Sequence, residues 1–333
     1  MKKNLVALAV LAASGASFAQ SSVTLYGLLD VWTGRVDDGI SKQTSIGSGG
    51  VDDSRWGIKG SEDLGGGLKA IFQLEQGFDL DTGASGTTTN DLNPQLNGSQ
   101  TFDRTAYVGL SGDFGEFQIG KVWSAYDDVI GSSNALFDAN IAPIYTAFIS
   151  GQKYNDRPIN GFRYTSPEIS GFTGTVSHSL DEKNPAASAV TAASISFAGG
   201  PIGVQLGYQV ENPKAAATPS VKYTLVGASY DFGSAVAKVI YSDVKDGINN
   251  QGLTVDAAEY QLGLDVPVGE NILLSASYAR SDDDKSTVKR DAYAVGATYT
   301  LSKRTYLYSA YRLGSETLQA DTRLFAVGIN HNF

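Results

Sequence analysis

The 333 residues include two histidines, His178 and His331, and no cysteine, which leaves little room for bond-making chemistry. Thiol nucleophiles, disulfides and Cys-type metal centres drop out. A hydroxyl nucleophile needs a base that is itself held by an orienting group. His178 sits between Ser177 and Ser179 near an expected strand end, and His331 falls on the lipid-facing or interfacial side of the last apolar-patterned stretch. Neither has the company of a triad, and two separate histidines do not hold zinc. Gly65-Gly66-Gly67 lacks the Lys-Ser or Lys-Thr that completes a phosphate loop, and reads as a turn. No catalytic residue, cofactor or metal is expected. What remains is chemistry by charge, and Asp127, Asp128 and Asp138 are its first candidates, set among Leu136, Phe137, Ile141, Ile144, Tyr145 and Phe148.

These residues belong to the longest run without a strand pattern, Asp127 to Pro158, flanked by stretches that do alternate. A structureless loop of this length needs a role of its own. Its apolar side chains need a surface to cover, and the inner wall of a wide β-barrel is such a surface. The segment is therefore expected to fold inward and narrow a pore.

The elements that would position it alternate with a period of two. In Ile202 to Val210 the even positions are Ile, Val, Leu, Tyr and Val, and the odd ones Gly, Gln, Gly and Gln. Ala258 to Val266 opposes Tyr260, Leu262 and Leu264 to Glu259, Gln261 and Asp265, and Leu68 to Glu75 repeats the pattern. Short turns are expected at Glu62–Gly67, Gly112–Glu116, Glu168–Gly171, Ala198–Pro201, Asp231–Ser234, Pro267–Glu270 and Leu301–Arg304. Longer polar connections alternate with them, at Asp38–Val51, Phe78–Thr101, Asp127–Pro158, Asp181–Ser188, Glu211–Ser220, Lys245–Val255, Ser281–Lys289 and Gly314–Asp321. Short turns at one rim and long loops at the other are the asymmetry of an outer-membrane barrel. Seven turns and eight loops predict a 16-stranded antiparallel transmembrane β-barrel, all-β, wide enough for water, with its third external loop infolded. The last strand puts Phe325, Val327, Ile329, His331 and Phe333 on one face. Thr305 to Leu313 is ambiguous, because Tyr306 and Tyr308 alternate with Leu307.

Lys2 and Lys3, an apolar run over Leu5–Ala13 and Ser17-Phe18-Ala19 form an export signal over residues 1–19, cleaved to start the mature barrel at Gln20. Losing two lysines takes the formal charge from −10 to −12, and no basic patch suggests nucleic acid. Local charge matters more than this total, since salt screens exposed loop carboxylates over about 8 to 10 Å.

The chain resembles the trimeric general-diffusion porins of Gram-negative outer membranes, in particular their beta-proteobacterial branch. The likeness is carried by Ser22-Val23-Thr24-Leu25-Tyr26-Gly27, by the long stretch opening Ser54-Arg55-Trp56-Gly57-Ile58-Lys59-Gly60 and running to Glu75, and by Arg104-Thr105-Ala106-Tyr107-Val108-Gly109-Leu110. Tyr164-Thr165-Ser166-Pro167, Leu301-Ser302-Lys303-Arg304-Thr305 and Phe333 add to it. It implies a homotrimer in outer-membrane lipid and lipopolysaccharide, a cell-outer-membrane location, and passive diffusion of ions and small hydrophilic solutes. It also implies a constriction between a basic wall (Arg55, Arg104, Arg157, with Lys59 flanking) and acidic loop groups (Asp127, Asp128, Asp138). Alternation agrees for Arg55, Gly57 and Lys59, which face inward while Trp56 and Ile58 face lipid. Two departures stand out: Leu28 occupies a first-strand position that is Lys in some enterobacterial relatives, and the loop motif Pro-Glu-Phe-Gly is absent. The expected selectivity is a modest anion preference. The alternatives are a channel specific for an organic or inorganic anion, a surface adhesion or phage-receptor barrel built on Phe78–Thr101, and a barrel hydrolase.

Overall fold

A computed structural model describes residues 22–85, 100–151, 153–180, 188–213, 219–249 and 252–333. The expected leader over residues 1–19, the start at Gln20 and much of the second and fourth external loops lie outside these residues.

Alternation of apolar and polar side chains gives each strand one face for lipid and one for the interior, and the chain closes on itself to satisfy every edge. The strands are β1 (Ser22–Asp37), β2 (Lys42–Ser48), β3 (Arg55–Gly65), β4 (Leu68–Gly77), β5 (Thr105–Gly112), β6 (Gly115–Lys121), β7 (Gly161–Thr165), β8 (Phe172–Ser179) and β9 (Ser188–Gly199). They continue as β10 (Ile202–Pro213), β11 (Val221–Asp231), β12 (Val236–Ile248), β13 (Thr254–Val268), β14 (Ile272–Asp283), β15 (Lys289–Ser302), β16 (Thr305–Glu316) and β17 (Thr322–Asn332). Neighbours pair antiparallel, and β17 returns to β1 with Leu28 opposite Asn332 and Asp37 opposite Arg323. β2 and β3 lie end to end along the other edge of β1 and together make one stave, so the closed barrel has sixteen. Gly27 and Phe333 exchange backbone hydrogen bonds of 3.2 and 3.0 Å and complete the seam.

The expected faces are the observed ones. Val204, Leu206, Tyr208, Leu262, Leu264, Phe325, Val327 and Ile329 are exposed on the outside, whereas Gln209, Glu259 and Gln261 are fully buried inside. One expectation is corrected: Asp38–Val51 is not all loop, because it contains β2. Ile46 is the single large apolar residue in Lys42–Ser48, so half a stave has the composition of a polar connection. The ambiguity in β16 resolves with Leu307 and Tyr311 outward and Tyr308 buried inward, where its hydroxyl donates to Asp30 at 2.6 Å.

Between β6 and β7 the chain leaves the wall and enters the lumen. It forms two short helices there, α1 (Asp127–Ser133) and α2 (Ile144–Ala147). Among the described residues, the extensive apolar interior of the barrel lies where this loop covers the inner wall, as Tyr126, Val129, Ile130, Ile144 and Phe148 pack on Tyr223, Leu225, Ile240 and Val244.

Candidate constriction site

A loop inside a channel must satisfy its own backbone groups, because water no longer reaches them all. Here the inner wall supplies the partners. Glu259 accepts from the backbone N–H of Ile149 at 2.5 Å and of Ser150 at 3.2 Å, and from the hydroxyls of Ser150 and Ser281. Arg290, ion-paired to Asp283, donates from Nε to the Ala147 carbonyl at 3.0 Å, at the C-terminal end of α2. Lys238 donates to the Asn134 carbonyl at 2.9 Å, Ser275 accepts from the Leu136 N–H at 2.9 Å, and Tyr223 donates to the Lys153 carbonyl at 2.8 Å. At about 0.5 to 1.5 kcal/mol each, these bonds fix the loop as firmly as a wall element.

Close approach is possible because the wall is bare where the loop crosses it. A Cβ at Gly227, Gly263 or Gly296 would run into Ser133, Ala135 or Phe137 of the loop, respectively, and one at Gly207 would crowd Val129. The loop turns at its centre through three consecutive left-handed residues, Leu136, Phe137 and Asp138, with φ of 58°, 48° and 54°. Each costs roughly 1–2 kcal/mol, and the contacts at Ser275 and Gly296 hold the turn in place. Strain of this kind collects where a structure has a geometry to maintain.

Between loop and wall lies a cavity of about 760 Å³, lined among others by Asp53, Arg104, Trp123, Asp127, Asp138 and Arg157. Arg104, just ahead of β5, bonds Glu75 through Nε at 2.7 Å and Asp53 through Nη1 at 2.8 Å. Arg55 pairs with Asp52 at 2.5 Å. Arg157, on the returning limb of the loop rather than on a wall strand, pairs with Asp156 at 2.8 Å. The guanidinium carbons of Arg104 and Arg157 lie 5.8 and 4.4 Å from the centre of the Trp123 ring, a favourable cation–π arrangement. Lys59 is exposed, 5.0 Å from the Tyr26 ring, and does not line this cavity.

On the acidic side, Asp127 is half-buried and accepts from the Tyr154 hydroxyl at 2.5 Å. Burial pushes its carboxyl up to about 7, and the neighbouring Asp156 carboxylate adds to the rise. Asp138 is open to the lumen, accepts from Asn134 Nδ2 at 3.0 Å, and is likewise raised by confinement. Asp128 is set apart from this pair: both its oxygens accept from Nη2 of Arg163 on β7, at 2.9 and 2.7 Å.

The cavity thus gathers Arg104, Arg157, Asp127 and Asp138, with Arg55 beside it, and leaves out Lys59. Sequence reasoning missed the wall carboxylates Asp52, Asp53 and Glu75 and the loop's Asp156, which neutralise those arginines in pairs. It also missed Arg163. Alternation within Phe162-Arg163-Tyr164 was the available signal for an inward Arg163, and Asp52-Asp53 immediately precede the arginine motif.

Comparison with known proteins gives a consistent picture. A family described as Gram-negative porin matches residues 5–317. Outer membrane porin protein 32 of Delftia acidovorans is 34% identical over 92% of this chain and 88% of its own length. An outer membrane porin protein of Bordetella pertussis is 29% identical, and the match spans 100% of both chains. Among solved structures, an anion-selective porin from Comamonas acidovorans superimposes with a TM-score of 0.80 at 28% identity, over 94% of this chain and 100% of that one.

Proposed function

The chain belongs to the Gram-negative porin family of outer-membrane barrels that pass solutes by diffusion, and from that premise we propose that its ions and small hydrophilic solutes are sorted at the gap between the infolded loop and the wall. The observation that carries this reading is the seating of residues 127–158 across the lumen on the inner-wall partners Glu259, Lys238, Ser275 and Arg290. Arg55, Arg104 and Arg157 form the basic side of the gap and Asp127 and Asp138 the acidic side, with Lys59 and Asp128 as outlying charges. The protein acts as a channel and not as an enzyme. Among the described residues, His178 bonds Thr191 at 2.9 Å and His331 bonds Thr305 at 2.8 Å, on separate parts of the barrel.

The finer reading is a homotrimer with a modest anion preference. Likeness to a relative called anion-selective supports the sign. So does the chemistry of the gap, because arginine stays charged at any working pH, while Asp127 is neutral below about 7. The ion pairs on the wall keep the preference modest. Outside, the apolar belt meets outer-membrane lipid. A planar-bilayer recording in a KCl gradient tests the whole reading: conductance in groups of three steps, with a zero-current potential of anion sign, is expected. A protein that inserts as a folded barrel and carries no current would end the channel reading, and a potential of cation sign would end the preference.

Raising the pH from about 6 to about 8 should charge Asp127 and move that potential toward cations. Asp127→Asn should remove part of the movement, and Asp138→Asn added to it most of the rest. An equal shift in the variant and the parent would take Asp127 out of the ion path.

A further inference from the structure

The stave shared by β2 and β3 is interrupted in an unusual way. Val31 is opposite Ser48 and Leu28 is opposite Arg55, so two residues of β1 face the six residues 49–54. The surplus chain turns into the lumen and meets the infolded loop. The Val51 carbonyl accepts from Asn140 N–H at 2.9 Å, the Gly50 carbonyl from Ile141 N–H at 3.2 Å, and Asp53 Oδ1 from Asn140 Nδ2 at 2.9 Å. Val51 is buried among Leu136, Ala139, Ile141 and Ala142 of the loop. The same bulge carries Asp52 and Asp53, the partners of Arg55 and Arg104.

What folds this bulge inward is a single fully buried carboxylate. Asp30 Oδ1 accepts from the Gly50 N–H at 2.9 Å and the Tyr308 hydroxyl at 2.6 Å. Oδ2 accepts from the N–H groups of Val51 and Asp52, each at 3.2 Å, and from Asn330 Nδ2 at 3.0 Å. Three successive backbone N–H groups converging on one anion form a nest, a geometry selective for negative charge. The backbone of Asp30 bonds Ser54 in both directions, at 2.9 and 3.0 Å, closing the other end of the bulge. The surroundings leave room for nothing else. A Cβ on Gly50 would strike the Tyr308 hydroxyl, and a Cβ on Gly328 would strike the Tyr308 ring.

We propose that Asp30 is the positioning residue for the wall side of the constriction: by gathering the backbone of residues 50–52 it builds a second inward element, which aims Arg55 and Arg104 and grips the loop through Asn140. The proposal rests on the constriction reading above. Asp30 itself touches no permeating ion; it acts through the bulge.

The test is Asp30→Asn in the full-length protein, read by single-channel conductance and by zero-current potential in a KCl gradient. The amide offers its own N–H groups to a nest of donors, so the bulge should release. Conductance is expected to rise by about 1.5- to 2-fold, since current through a narrow gap follows its open width, and the potential should move as Arg55 and Arg104 lose their orientation. Adding Asn140→Ala to Asp30→Asn should bring little further rise, because both act on one contact. Wild-type conductance and potential in Asp30→Asn would overturn the proposal while leaving the channel reading intact; parent protein that forms no channel would instead remove that reading. If Asp30→Asn fails to assemble, Tyr308→Phe carries the test by removing one bond to the same carboxylate. A smaller change in the same direction supports the proposal, and unchanged values overturn it.

Discussion

A chain lacking residues 135–149 is expected to conduct roughly two- to fivefold more current than the intact protein and to admit larger sugars. The deletion removes α2 and the left-handed turn at Leu136–Asp138, the parts that cross the lumen. The barrel should survive, because each stave is hydrogen-bonded to its neighbours without help from the loop. Some stability is lost, since Ala294, Ala310, Leu324 and Ala326, now covered by Leu136, Ala139, Ile141 and Ala142, would meet water at about 25 cal/mol per Å² of apolar surface. Bilayer recordings and sugar-swelling rates measure the effect directly. Unchanged conductance in a correctly folded deletion would mean that the loop does not limit the pore.

Changing Arg55 and Arg104 together to Gln is expected to move the zero-current potential strongly toward cations. The charge at the gap falls by two, and Asp52, Asp53 and Glu75 lose the arginines that balance them. The side chains of Arg104 and Glu75 are only 5% and 6% exposed, and breaking a pair in such a setting costs about 3 to 5 kcal/mol. A lower melting temperature should therefore accompany the change in selectivity. A potential that stays at the parent value would exclude both arginines from control of the ion path.

The fold was legible because a barrel between lipid and water writes its geometry as a period of two, and because its two rims impose short and long connections. Glu259 and Gln261 could be read as inward from Tyr260 and Leu262 alone. The site was legible in part. Arg55 and Arg104 stood in recognisable motifs and Asp127 and Asp138 in an odd loop, but a charge read along the chain has no visible partner. Asp52 and Asp53 were hidden by the bulge, whose fold depends on Asp30 some twenty residues earlier and on Tyr308 near the other end of the chain. Period-two reasoning also fails at Tyr306 and Tyr308, since a tyrosine suits either face until its hydroxyl has an acceptor.

The wall's bare glycine track and its polar anchors also imply an order of events during maturation. Leu136 reaches Ser275 across 139 positions of sequence, Arg290 reaches Ala147 across 143, and Lys238 reaches Asn134 across 104. Contacts so distant form late, once the intervening chain has already been organised. Strands β11 to β15 must stand side by side before the bed exists on which residues 129–149 can settle. Narrowing therefore waits on that part of the wall. Slow docking of the loop would appear as conductance that falls with time after insertion.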